Sequence, residues 1–230
     1  MKKLVIVFLL AAFALIASRP AVAQDLKQRL AAAKEAAGKN AQAQRAYTWL
    51  EKTELSFKGE VKNTKVDSCK YGPDGTVIKT PVVTPPPAAK QRGLKGKIVA
   101  KKTAEMKDEL ERAVSLVQRY VPPSPDKMQV VMNAGTASVN QAGPGALAFK
   151  FPGYEKAGDA LTITFDAAVT TLRQISVATW LNKPEEPVTL NVTMQSQPDG
   201  LSYPGAIVLS IPSSQIEVRI TKSNYQKLAR

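Results

Sequence analysis

The chain has no histidine and only one cysteine among its 230 residues. Those two shortages remove much of the catalytic repertoire. Without imidazole there is no Ser-His-Asp or Cys-His nucleophile, no histidine general base and no histidine-containing zinc site. With one thiol there is no intramolecular disulfide, no C-x-x-C redox pair and no thiolate cluster. That thiol, Cys69, reads as a small half-buried residue in preference to a reactive one. Aromatic residues are sparse at 6%, and acids are outnumbered, 19 against 32 bases, for a formal net charge of +13. What stays chemically open is carboxylate, lysine or tyrosine chemistry, or none.

Long apolar runs are also scarce, and the one present is informative. Met1-Lys2-Lys3 supplies a positive start, Leu4 to Ile16 is uninterrupted apolar chain, and Ala21-Val22-Ala23 fits the small-x-small cleavage rule before Gln24. The run is about 13 residues long, whereas a membrane span needs roughly 20. The pattern predicts a bacterial signal peptide over residues 1–23, cleaved after Ala23, and a periplasmic or secreted product. No cysteine lies near the cleavage point to carry a lipid, and no later segment is apolar enough to cross a membrane as a helix. Charge is unevenly spread over the remaining chain. Residues 24–139 hold 21 bases and 12 acids, and residues 140–230 hold 8 and 7.

From Asp25 to about Gln44 the composition predicts a polar helix interrupted near Gly38. At Tyr47 the period changes to two. Tyr47, Trp49, Leu55 and Phe57 share one parity with Glu51 and Thr53, a strand with a mostly apolar face. Lys58-Gly59 turns it into a more polar strand, Glu60 to Tyr71, and Pro73-Asp74-Gly75 turns again into Thr76 to Thr80. The proline-rich stretch Pro81 to Pro87 is expected to close this group as a connector.

Met106, Leu110, Ala113, Val114, Val117, Tyr120 and Val121 recur at three- and four-residue steps, which predicts an amphipathic helix from about Lys101 to Val121. Pro122-Pro123 ends it. Ser124, Pro125 and Asp126 then read as N-cap, first position and dipole partner of a short second helix closed at Gly135. From Thr136 onward, apolar and polar residues alternate in consecutive short runs separated by turn signals. Clean alternation of that kind predicts an antiparallel meander with one dry face, and about ten strands in all would curl.

The fold class that follows is α+β: a strongly curved antiparallel sheet of about ten strands, an incomplete β-barrel, covered by an N-terminal helix and central helices. One domain is expected over residues 24–230, with a helical insertion near 97–134. An exported chain with this order of elements resembles the periplasmic lipoprotein carrier and receptor class, the LolA/LolB-like fold. The resemblance covers nearly all of residues 24–230 and rests on element order and export, with no short motif by which site residues could be carried across. It implies a half-barrel closed by helices whose apolar cavity takes lipid acyl chains. The basic stretch between Lys90 and Lys102 and the proline-rich connector depart from that pattern.

A curved sheet with a dry concave face needs a lid. Where lid and sheet interlock the result is a core, and where they do not the gap is an apolar pocket. Strand parity nominates Trp49, Leu55, Phe57, Met106, Leu110, Phe149, Ile163, Phe165, Val177, Val192 and Met194 as lining residues, although for any one of them plain core is the first reading, because apolar strand faces are usually cores. Lys90, Arg92, Lys95, Lys97, Lys101 and Lys102 form the densest basic stretch. It reads either as a solvated flexible loop or as a contact for anionic head groups and other acidic envelope surfaces. Nucleic acid is a poor partner, because export separates the chain from it and no aromatic interleaves the bases.

Enzymatic patterns are thin. Ser124-Pro125-Asp126-Lys127 matches S-x-x-K, but the companion elements of that chemistry are absent and the same residues are a complete helix start. Glu105, Asp108 and Glu109 lie on a polar helix face with Lys101 and Arg112 near them. Asp159, Asp166 and Asp199 sit at strand ends or turns without metal-site spacing. The expectation is a non-enzymatic protein with no cofactor and no metal, a carrier or binder of a lipidic ligand. The alternative is a structural or regulatory envelope protein that offers the same half-barrel for protein or anionic-surface contacts.

Overall fold

Alternation becomes register in a computed structural model that describes residues 35–36, 38–83, 93–166 and 171–228, with backbone alone for 93–99. The expected signal peptide and the start of the N-terminal helix lie outside the described residues. Ten strands form: β1 (Tyr47–Phe57), β2 (Glu60–Tyr71), β3 (Val77–Val83), β4 (Ser138–Gln141), β5 (Ala146–Pro152), β6 (Ala160–Asp166), β7 (Leu172–Trp180), β8 (Pro187–Ser196), β9 (Ser202–Ile211) and β10 (Ile216–Lys227). They make one sheet in the order β3-β2-β1-β10-β9-β8-β7-β6-β5-β4. Every pair is antiparallel, and consecutive strands are sheet neighbours except β3 and β4, which lie at opposite edges, while the last strand returns to lie beside the first. β3 and β4 keep free edges, so the sheet is open and curled, not a closed barrel.

The β1–β2 hairpin is fixed by Lys58 and Gly59, both at positive φ (55° and 77°), the backbone that a two-residue turn of the right twist demands. The expected proline connector begins later than the sequence suggested, because Pro81 lies inside β3 and pairs with Asp67. An edge strand tolerates a residue that cannot donate to the ladder. Pro204 sits inside β9 where the register with β8 shifts, again a place where a missing N–H is tolerated.

Two helices cross between the strand groups: α1 (Gly93–Val117) and α2 (Pro125–Asn133). α1 begins earlier and ends earlier than its apolar spacing suggested. Residues 93–102, expected as a loop if not a contact surface, belong to it. Its inward stripe is Met106, Leu110, Ala113 and Val117, while Val114 is exposed and Tyr120 and Val121 fall in the turn that follows. α2 starts as its sequence requires: Ser124 caps it by accepting from the Lys127 N–H at 3.5 Å, and Pro125 is its first residue. A helical segment over residues 38–44 precedes β1, and Asn40 and Gln44 clamp the backbone of Ser202.

The principal core lies between α1, α2 and the concave face of β5–β10. Tyr120, Phe151, Leu161, Val188 and Ile211 are fully buried there. A polar hub locks the helical layer to the sheet. The Tyr120 hydroxyl donates to Asp159 and shares a second hydrogen bond of 2.9 Å with Thr179, and Asp159 also accepts from the backbone N–H groups of Glu155 and Lys156 at 3.2 and 2.9 Å. The Ser124 N–H donates to Tyr154 Oη at 2.6 Å, fixing the entry to α2.

Candidate functional site

Register sorts the concave face into rungs that run across the strands. One reads Leu55, Val218, Leu209, Leu190, Val177, Leu161, Phe151 from β1 to β5, each residue directly opposite the next. The rung beside it reads Thr53, Ile220, Ile207, Val192, Ile175, Ile163, Phe149. Burial changes along both. From Leu190 and Val192 toward β5 every member is buried, whereas Leu55, Val218, Thr53, Ile220 and Ile207 are only half-buried. The cause is the lid, since α1 buries only residues from Ala113 onward, and its Ala100–Glu105 stretch is exposed throughout. A half-covered apolar strip therefore remains over β1, β10 and β9.

Of the predicted lining residues, Phe149, Ile163, Phe165, Val177 and Val192 lie sealed inside the principal core, and Leu55, Phe57, Met106, Leu110 and Met194 are partly buried against it. Trp49 is not with them. It lies further along β1, where its ring stacks on Tyr225 with centroids 5.4 Å apart and contacts Tyr71 at 5.3 Å. Tyr225 in turn packs on Tyr203 and Tyr47.

Between the strip and these aromatics the same face turns ionic. Glu51 stands opposite both Asp67 on β2 and Lys222 on β10, so the next rung is charged. Glu51 and Asp67 are both buried. Lys79 reaches Glu51, Lys65 holds Asp67 Oδ2 at 2.9 Å, and Lys222 Nζ lies 3.9 Å from Glu51 Oε2 and 5.4 Å from the centre of the Trp49 ring. Burial pulls the Lys222 ammonium below its ordinary pKa, and the Glu51 carboxylate offsets only part of that. Burial acts the same way on Lys79, but its hydrogen bond to Glu51 and the charge of that carboxylate prevail and raise it. Asp67 Oδ1 and Trp49 Nε1 are buried without a hydrogen-bond partner. Cys69, opposite Trp49, is fully buried where the sequence suggested half-burial, and burial pushes its thiol up.

Sequence reasoning missed this rung, although one signal for it was readable. Glu51 and Lys222 sit at inward positions of β1 and β10, continuing Leu55–Thr53 and Val218–Ile220 by parity. It also missed Asp159, read as a turn residue, which is buried at the helix-docking hub.

The basic stretch divides. Lys90 and Arg92 lie outside the described residues, Lys95 and Lys97 belong to α1 by backbone, and Lys101 and Lys102 are exposed on it, Lys101 at 3.8 Å from Glu105. In the S-x-x-K match, Ser124 Oγ is the cap acceptor and the Lys127 ammonium turns to Glu155. A shallow depression of about 250 Å³ on the opposite sheet face is lined by Ser56, Gly59, Ser210, Gln215, Ile216 and Glu217. No described helix is long and apolar enough to cross a membrane.

No protein-family model matches the chain, and no curated protein matches it. Among solved structures it is similar to a DUF1329 family protein from Desulfovibrio piger, with 8% identity over 87% of this chain and 92% of that one and a TM-score of 0.28. A likeness at that level carries no argument, and the reading of the chain rests on its own geometry.

Proposed function

We propose that the chain is an exported, non-catalytic carrier or binding protein that shelters the apolar part of a lipidic ligand in the periplasm. The observation that carries this reading is the half-covered strip. Leu55, Val218, Ile220 and Ile207 lie in register with a packed core yet keep solvent contact, and an alkyl chain laid over them would complete the burial that α1 leaves unfinished. The non-enzymatic part of the proposal draws support from the hydrogen bonds that already occupy Ser124, Lys127 and Asp159.

Calorimetric titration with n-alkanols from octanol to dodecanol, below their solubility limits, tests the strip. Each added methylene is worth about 0.8 kcal/mol when buried, so the affinity should rise roughly fourfold per methylene, and Ile220→Ser should weaken every member. Absence of binding, or affinity indifferent to chain length, refutes the reading. Cell fractionation with N-terminal sequencing tests the export, with Gln24 as the expected first residue.

A second reading, an envelope protein using the half-barrel for protein contacts, is favoured by β3. This free edge strand exposes Val77, Ile78, Val82 and Val83, the last two at 58% and 51%. An exposed apolar edge is a template for strand addition, and a Val82→Lys substitution that abolishes co-purification of an envelope partner would support it.

A further inference from the structure

The charged rung beside the strip is incomplete: at its β10 end the unmet groups are donors, and at its β2 end the unmet group is an acceptor, Asp67 Oδ1. Three ammonium groups, Lys65, Lys79 and Lys222, face two carboxylates, Glu51 and Asp67. Lys79 and Lys65 are each engaged by a carboxylate at close range, which leaves Lys222 as the surplus. Its side chain is 17% exposed, its nearest carboxylate oxygen is 3.9 Å away, and no hydrogen bond joins it among the described residues. A half-buried ammonium with three N–H donors, a long ion pair and a ring contact but no hydrogen bond is an unfinished site. Near it a second donor is idle, since Trp49 Nε1 is buried with no partner, in a ring whose centre lies 5.4 Å from the Lys222 ammonium. Two adjacent unused donors call for an acceptor, and the surplus positive charge calls for an anionic one. Lys222 is two residues along β10 from Ile220, a step of about 7 Å, so a group bound there is joined directly to the half-covered strip.

We infer that Lys222 and Trp49 seat the anionic head group, a carboxylate or a phosphate monoester, of an amphiphile whose tail lies on Ile220, Val218 and Leu55. This rests on the binding reading above and names its ligand class. Lys222 swings from its long contact with Glu51 to the head group, and the Trp49 indole N–H supplies a second donor. Glu51 stays neutralised by Lys79 and Asp67 by Lys65, so the incoming anion meets no bare carboxylate except the unpartnered Asp67 Oδ1 one strand further away.

The test compares decanoate, decyl phosphate and decanol by calorimetry on the full chain without its first 23 residues. Decanoate or decyl phosphate should bind at least tenfold more tightly than decanol, and the tighter of the two identifies the head group. Lys222→Met, which keeps the stem and removes the charge, should cost the anions about tenfold and leave decanol within twofold. Lys222→Arg should restore most of the loss, and Trp49→Phe should weaken the anions alone. Should Lys222→Met not fold, the Arg and Phe variants carry the comparison. Equal binding of decanol and decanoate, or a Lys222→Met loss shared equally by both, overturns the head-group site while leaving the apolar strip intact. Failure of decanol and the anions alike overturns both readings. Acetate or inorganic phosphate binding as tightly as the decyl compounds also overturns it, because the site would then take a small free anion and not an amphiphile.

Discussion

Replacing Tyr120 with phenylalanine removes a single oxygen from the hub that fastens the helical layer to the sheet. Tyr120 has no solvent exposure, and its hydroxyl donates to a carboxylate that is itself 1% exposed. Asp159 would keep its two backbone donors, from Glu155 and Lys156, so the variant loses one charge-assisted hydrogen bond and a neutral one to Thr179 without stranding a naked charge. A hydrogen bond to a charged group is worth about 1.5–3 kcal/mol, and about 2 kcal/mol is the expected loss. For a domain of this length that corresponds to a fall of roughly 4–8 °C in Tm. Asp159→Ala does more damage, because three donors lose their acceptor together, and about 3–5 kcal/mol is expected from the unmet donors.

The assay is urea unfolding of the two single variants and the double variant, with hydrogen exchange as a spatial readout. Because Tyr120 and Asp159 act on each other, the double variant should be less destabilised than the sum, by at least about 1 kcal/mol. Amide protection should drop first in α1 from Leu110 to Val117, the stretch of the helix that leads into the hub. A Tyr120→Phe cost under about 0.5 kcal/mol, or strict additivity with Asp159→Ala, refutes the claim that this contact holds the lid.

Three further outcomes follow from other parts of the fold. A Cβ on Gly205 would stand 2.4 Å from Gln195 Cδ, but Gln195 is exposed and flexible and can swing aside at the loss of its hydrogen bond from Tyr203, so Gly205→Ala should cost about 1 kcal/mol or less in a thermal melt; a loss above about 3 kcal/mol would show that Gln195 is held in place. Burial holds Tyr71, Tyr120, Tyr154 and Tyr225 above their ordinary pKa, so above about pH 10 the folded chain keeps protons that the unfolded chain sheds, and stability falls as pH rises. Lys222 and Lys156, both depressed by burial, work in the opposite direction just below their ordinary value, and two lysines against four tyrosines leave the net slope downward; a urea midpoint that climbs from pH 9 to 11 would contradict it. Cys69, fully buried with its thiol pushed up by burial, should react with iodoacetamide only in denaturant, and rapid alkylation of the native chain would count against the β1–β2 pairing.

How much of this was legible depended on whether a residue's neighbours in sequence decide its fate. The β2 range and the β1–β2 turn could be read directly, since alternation and Lys58-Gly59 are local signals. The S-x-x-K residues could be assigned to a helix start for the same reason. The limits of α1 could not, because its first turns carry no apolar stripe and its end depends on where Pro122-Pro123 and the Tyr120 hub fall in space. Pro81 was misplaced because the edge position of β3 is a property of the sheet and invisible from within the strand. Trp49 was assigned to the strip because parity specifies a face and not a position along it; only cross-strand register puts it past the charged rung.

That charged rung is the part of the concave face that stability alone does not explain. The two rungs above it show what the sheet does when packing decides: opposite residues are apolar and most are sealed. An apolar rung in place of Glu51, Asp67 and Lys222 would extend that arrangement, and exchanging buried ion pairs for packed hydrophobic residues is often neutral or stabilising by about 1–4 kcal/mol. The existing rung and Trp49 next to it instead keep two buried polar atoms unpartnered, Asp67 Oδ1 and Trp49 Nε1, each a group whose desolvation costs about 1–3 kcal/mol when unmet. Folding gains nothing from that cost, and a ligand that meets the idle donors recovers part of it. The binding free energy of such a ligand is therefore partly stored in the unliganded fold. Lys222→Met should accordingly weaken the anion while leaving the folded chain as stable as before or more so, a pairing of effects that a purely structural lysine would not give.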